Sequence, residues 1–138
     1  MPTERIDFAS LKRPTSPNTY LTAPEGLCRQ STIDTVAPIF DVSAAKLRQE
    51  LLRILIAEPR TSHTLADEKA LYDNFVVRSA FFRFPDLISV QFFDRKGGKS
   101  TLALYSRSVY GRYDFGVNRT RAEAWLKRAG AANRPVKP

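Results

Sequence analysis

Residues 87 to 108 alternate apolar and polar side chains on both sides of a glycine-rich turn, and that pattern limits the folds open to this chain more than any other feature. Ile88, Val90 and Phe92 fall on one side of the first segment, with Ser89 and Gln91 on the other. After Arg95-Lys96-Gly97-Gly98-Lys99 the pattern resumes with Leu102 and Leu104. A period of two on both sides of a short connection specifies adjacent antiparallel strands, because successive side chains of a strand point to opposite faces. Two more strand signals come before it. Leu71 to Ala80 sets Phe75 and Val77 against Val76, and Phe81-Phe82-Arg83-Phe84-Pro85-Asp86 leads to a break at Pro85. Arg60 to Ala66 is a weaker candidate. Four strand segments in an uninterrupted run favour an antiparallel sheet.

Helices are expected on both sides of this run. Asp41 or Ser43 can cap a helix reaching about Glu58, with Leu47, Leu51, Ile54 and Leu55 at helical spacing and Pro59 as the stop. A second helix is expected from about Arg119 to Ala129, capped by Asn118, with Ala122, Trp125, Leu126 and Ala129 as its buried stripe. Residues 1–40 hold five prolines and no clear period, yet they include Tyr20, Leu21, Leu27, Ile33, Val36, Ile39 and Phe40. Proline resists helices and central strands. The expected fold is therefore α+β: an extended arm (1–40) packed on the domain, a domain (41–130) of helix, four-stranded mainly antiparallel sheet and C-terminal helix in a two-layer sandwich, and a flexible basic tail (131–138). Phe81, Phe82, Phe84, Phe92 and Phe93 are expected in the core, or as the wall of an apolar groove under the arm.

The 138-residue chain carries a net charge of +8, and the excess is unevenly placed. Residues 95–138 hold 11 basic and 2 acidic residues, a net +9, whereas the preceding residues sum to −1. This asymmetry suits either an acidic partner or a solubilising surface. A lone cysteine, Cys28, precludes an internal disulfide. One histidine, His63, and one cysteine are too few for a protein-only zinc site, so no metal is expected. No apolar run approaches the length of a membrane-spanning helix, and residues 1–10 lack a signal-peptide core. The expected location is cytoplasmic if Met1 is the native start, and membrane-associated or exported if a leading segment was removed.

Chemistry-bearing residues are densest between the last strand and the last helix. Arg107, Ser108, Tyr110, Arg112, Asp114, Asn118, Arg119 and Arg121 are the candidate ligand-binding residues. Arg119 and Arg121 crowd a helix start, whose dipole disfavours cations by about 0.3–1 kcal/mol each. Cations beside free backbone N–H groups make an anion site. The alternative is that Asp114 is itself the anion, fixing the loop by pairing with the arginines. Gly111 and Gly116 read as positive-φ turn residues. The loop lacks the spacing of a dinucleotide or phosphate-binding loop, so no cofactor is expected. Ser108 lacks a recognisable base, and a Cys28–His63 nucleophile has nothing in the sequence to bring it together, so no catalytic residue is assigned.

Three stretches resemble one family. They are Ala37-Pro38-Ile39-Phe40-Asp41-Val42, Arg78-Ser79-Ala80-Phe81-Phe82-Arg83-Phe84-Pro85-Asp86, and the run from Tyr105 to Arg119 with Arg121 and Trp125-Leu126. Their order and spacing resemble the bacterial and plastid family called domain of unknown function 1499. The resemblance covers residues 13 to 129 and implies no catalytic residue or cofactor. Members of that family often carry an N-terminal membrane or lipoprotein segment; none is expected from the mixed polar residues 1–10. The leading expectation for function is a non-enzymatic binding domain for an anionic or amphipathic small molecule, such as a phosphate, a carboxylate or a lipid headgroup, with membrane-surface contact among the options. The alternative is weak, sequence-independent nucleic-acid binding; a hydrolase or transferase is the third class.

Overall fold

Ser43 begins the first helix. Its hydroxyl accepts the Lys46 backbone N–H at 3.2 Å, and Asp94 accepts the Ala44 N–H at 2.9 Å. Both satisfy donors that a helix start leaves without internal partners. This helix, α1, spans Ala44–Ile56 and buries Leu47, Leu51, Ile54 and Leu55. The computed structural model describes residues 5–111 and 114–133. The second helix, α2, spans Val117–Asn133 and buries Ala122, Trp125, Leu126 and Ala129 along one stripe.

The sheet corrects the four-stranded expectation. It has six strands: β1 Thr19–Ala23, β2 Thr35–Val36, β3 Thr61–Asp67, β4 Tyr72–Arg78, β5 Pro85–Arg95 and β6 Lys99–Ser108. Their order is β2-β1-β6-β5-β4-β3. The β1–β2 pair is parallel and the other pairs are antiparallel, so the sheet is mixed. The two additional strands come from the first forty residues. Pro17 and Pro24 flank β1 and lie outside it, so its five residues keep their ladder hydrogen bonds. Proline density across the segment hid a strand that fits between two prolines. Of the expected tail, residues 131–133 continue α2, and residues 134–138 lie outside the described residues.

Both faces of the sheet are covered. On one face α1 and α2 pack over Tyr20, Phe75, Val77, Ile88, Val90, Phe92, Leu102 and Leu104. On the other face the segment before β1 and the β1–β2 connection bring Phe8 and Cys28 against Leu21, Tyr72, Ala103 and Tyr105. Polar ties hold this cover in place. The Ile6 N–H donates to the Tyr72 hydroxyl at 2.7 Å, and Arg13 pairs with Asp34 at 2.9 Å while donating to the Thr19 hydroxyl at 2.8 Å. The phenylalanines divide among these environments. Phe92 is in the helix-side core and Phe93 packs partly on the opposite cluster, but Phe81, Phe82 and Phe84 are exposed, against the expectation of a buried cluster.

Phe8 is the deepest anchor of the cover, at 3% exposure. Phe8→Ala should cost about 3–5 kcal/mol, the range for deleting a buried aromatic ring. Urea unfolding of the full chain measures this. A loss below about 1 kcal/mol would mean that the cover contributes little.

Candidate functional site

The register of β6 decides where the candidate residues go. Leu102 and Leu104 face the helices, so Ser106 and Ser108 share their side and Arg107 points to the opposite face. The loop that reads as one cluster in sequence is thereby split by the sheet.

On the helix side the centre is Asn118, which is fully buried. Its amide nitrogen donates toward Asp114 Oδ2 at 2.7 Å, Ser108 Oγ at 2.9 Å and the Asn18 carbonyl at 3.2 Å, and its carbonyl oxygen accepts from the Ser106 hydroxyl. Asn18 in turn donates to the Gly111 carbonyl at 2.6 Å. Asn118 thus fastens the starts of β1 and α2 to the end of β6. The helix begins one residue before the expected cap, and the capping carboxylate is Asp114. Its two oxygens accept the Gly116 N–H at 2.9 Å and the Asn118 N–H at 3.1 Å. Gly111 and Gly116 take φ of 83° and 77°, as the turn on either side of this cap requires.

The arginines of the loop find separate partners. Arg121 pairs with Asp86, donates to Asn118 Oδ1 at 3.2 Å and lies over the Trp125 ring. Arg119 pairs with Glu123 at 3.2 Å on the surface and lies over the Tyr20 ring. Tyr110 is exposed, its ring 5.2 Å from that of Phe84. Arg112 lies outside the described residues. Asp114, Asn118, Ser108 and Arg121 are therefore brought together, and Arg107 stands apart from them.

Arg107 is mostly withdrawn from water beneath the arm. One of its terminal nitrogens donates to Ser89 Oγ at 3.0 Å and to the Tyr105 carbonyl at 3.2 Å, and its guanidinium lies 4.8 Å from the centre of the Tyr105 ring. Among the described residues no carboxylate lies within ion-pair distance of it. Burial pushes its pKa down from the ordinary arginine value, and burial likewise raises the Tyr105 hydroxyl. Arg107 borders a cavity of about 200 Å³ shared with Arg5, Ile6, Asn74, Leu87 and Ser89. Ser89 Oγ and the Tyr72 hydroxyl both donate to Asn74 Oδ1, at 2.7 and 2.8 Å, which fixes the cavity's polar wall. Arg5 at its mouth pairs with Asp67. Ser89, Asn74 and Tyr72 were not among the sequence candidates. The alternation that placed Ile88 and Val90 inward does put Ser89 on Arg107's side, so the signal was present.

A larger cavity of about 820 Å³ lies on the helix side, between α2 and the β1–β2 edge, with Tyr20, Phe40 and Leu126 in its walls and Lys99 and Lys127 among its polar lining. Tyr20 faces the helices and Arg107 does not, so one small ligand cannot span both cavities.

Another polar group joins α1 to the sheet. Asp73, fully buried, accepts two hydrogen bonds from Arg48 at 2.7 and 2.8 Å and one contact from His63 Nε2 at 2.9 Å, while the His63 ring stacks on Phe75. Among the described residues no hydroxyl or thiol bonds the His63 ring. Cys28 lies on the opposite face of the sheet, and burial pushes its thiol up, away from the reactive thiolate. The His63–Asp73 pair is thus anchored by Arg48, with no hydroxyl or thiol bonded to it among the described residues. The described residues include no group of three or more His, Cys, Asp or Glu side chains suited to a metal, and no helix among them is long and apolar enough to cross a membrane.

Asn118→Ala should cost about 2–4 kcal/mol, because it strands several buried polar partners together. Asp114→Ala should cost about 0.5–2 kcal/mol, the range for a lost helix cap. Denaturant unfolding of both variants checks the ranking, and the reverse order would move the structural centre of the loop to Asp114.

Among solved structures, the chain is similar to the di-domain ARO/CYC protein BexL of the BE-7585A biosynthetic pathway, with a TM-score of 0.49 and 12% identity over 69% of this chain and 44% of that one. It is also similar to Ara h 8.0201, with a TM-score of 0.49 and 10% identity over 70% of this chain and 92% of that one. The chain spans less than half the length of BexL. No curated protein matches it. The model of the DUF1499 family, described as a protein of unknown function, matches residues 11–128 and so takes in the arm from residue 11, the whole sheet, α1 and the first part of α2. The chain belongs to the DUF1499 family.

Proposed function

We propose that this protein is a binding domain for a small anionic molecule, and that Arg107 is the residue that holds the anion. The observation that carries the reading is a mostly buried guanidinium with no acid beside it among the described residues. Placing a charge in a poorly solvated site costs several kcal/mol unless an opposite charge and hydrogen bonds compensate. The bonds to Ser89 and the Tyr105 carbonyl and the contact with the Tyr105 ring offset part of that cost, the ring contact by about 0.5–2 kcal/mol. A carboxylate or phosphate would supply the rest, since a guanidinium fork matches two oxygens of either group.

The cavity's size supports a headgroup or a small acid. At about 200 Å³ it is below the usual range for drug-sized ligands, and the same face of the sheet carries the buried cluster of Phe8, Leu21 and Tyr105. The ligand's charged end would sit against Arg107 and Ser89, and any longer part would extend past Arg5 and Ile6. The helix-side loop has a different role in this reading. Arg121 and Arg119 are bound to Asp86 and Glu123, and the loop braces the end of β6 from which Arg107 projects.

Phosphate at about ten times its Kd should add about 1.4 kcal/mol of stability, a rise in Tm of about 4–6 °C for a domain of this size. Arg107→Gln should abolish that rise while changing the stability of the unliganded protein by less than about 1 kcal/mol. Thermal melts with phosphate, and with short mono- and dicarboxylates, measure both. If none of these anions raises the wild-type Tm at millimolar concentration and Arg107→Gln alone costs more than about 2 kcal/mol, Arg107 is a structural residue and the binding reading is wrong.

A further inference from the structure

The exposed aromatic side chains of the described residues all lie at one end of the sheet. The pairings Thr61↔Val77, Arg78↔Pro85, Asp86↔Ser108 and Thr19↔Arg107 define that end. It comprises the β4–β5 turn (79–84), the described residues 109–111 and 114–116 between β6 and α2, and the residues after α1. Phe81 is 92% exposed, Phe82 74%, Phe84 47%, Tyr110 58% and Phe115 95%. Four of these rings form a chain, with centroid separations of 6.3 Å from Phe81 to Phe82, 5.3 Å from Phe82 to Phe84 and 5.2 Å from Phe84 to Tyr110. A soluble surface rarely gathers its large apolar groups in this way unless something covers them.

The turn is closed by hydrogen bonds between its two ends. The Ser79 N–H donates to the Phe84 carbonyl at 3.0 Å, and the Phe84 N–H donates to Ser79 Oγ at 3.0 Å. Arg83 takes φ of 58°, a left-handed conformation uncommon for a residue other than glycine. The guanidiniums of Arg60, Arg78 and Arg83 donate to the carbonyls of Arg78, Arg83 and Ala80, at 3.0, 2.8 and 3.1 Å. These bonds fix three cations at the base of the aromatic turn. None of the three has a carboxylate partner among the described residues. The acids at this end are already engaged: Asp86 by Arg121, Asp114 by the start of α2, and Glu58 by Trp125 Nε1 at 2.9 Å and by Arg128.

We propose that this end of the molecule docks on an anionic lipid bilayer, with Phe81, Phe82 and Phe84 entering the interface and Arg60, Arg78 and Arg83 facing lipid phosphates and headgroup carboxylates. Aromatic tips flanked by cations suit the boundary between headgroups and acyl chains, and the pairing of Asp86 with Arg121 and of Glu58 with Arg128 weakens the repulsion that an anionic surface would otherwise exert. None of these side chains lines the Arg107 cavity, and the proposal does not depend on it.

Sedimentation of the full chain with vesicles of 70% phosphatidylcholine and 30% phosphatidylserine tests the proposal. The expected result is binding that drops at least tenfold with Phe81→Ser and Phe82→Ser together, and that falls strongly at high salt or on pure phosphatidylcholine. Both side chains are exposed, so the double variant should keep the wild-type circular dichroism melt. A Phe81→Trp variant should show tip fluorescence quenched by brominated lipid in the same vesicles. Absence of binding to the anionic vesicles overturns the proposal, as does equal binding to both vesicle types. Two other results overturn it in favour of a different occupant: self-association lost in the double variant, which points to a second copy, and capture of single-stranded nucleic acid lost in the same variant.

Discussion

Every residue of β6 from Ser100 to Ser106 is buried, and the rest of the fold answers to that constraint. A strand buried on both faces needs two covers. The helices supply one, and the chain before β1 together with the β1–β2 connection supplies the other. The same strand then sorts the chemistry of the molecule. Because its side chains alternate, Ser106 joins the Asn118 network under α2, whereas Arg107, one residue on, enters the cavity under the arm. A slip of one residue in register would exchange the two and leave both environments mismatched.

Two arginines, one buried and one mostly withdrawn from water, show how differently one side chain can be accommodated. Arg48 meets a fully buried carboxylate in a two-point contact, and its hydrogen bonding to Asp73 is the main reason its pKa rises. Arg107 receives a serine hydroxyl, a carbonyl and an aromatic face, and burial lowers its pKa. The first arrangement is complete within the protein and reads as a tie between α1 and β4. The second leaves a positive charge uncompensated among the described residues, and this contrast underlies the anion-site proposal.

Much of this was legible in the sequence, element by element. The alternation of Ile88, Val90 and Phe92, the Gly97-Gly98 turn and the leucines of α1 each report a local period, and local periods survive into the fold. What escaped depended on distant pairing. β1 is only five residues between prolines and becomes a strand because β6 offers it an edge. The exposure of Phe81, Phe82 and Phe84 also ran against the pattern, since composition alone assigns phenylalanine to a core and only the Ser79–Phe84 turn geometry turns these rings outward. Among the site residues, nearness in sequence suggested one cluster from Arg107 to Arg121. Applying the period of two already used for Leu102 and Leu104 would have separated Arg107 from Ser108 and Asn118.

The central claim is that Arg107 carries a positive charge reserved for an incoming anion, and NMR of the guanidinium groups tests it most directly. The Nε–Hε resonance of Arg107, assigned through Arg107→Gln, is followed while inorganic phosphate is added. The account predicts a saturable shift of that resonance at millimolar phosphate, while the resonance of Arg48, whose Nε–H already donates to Asp73, stays in place. A resonance unmoved by phosphate, or a uniform drift of all the arginines with ionic strength alone, would contradict it.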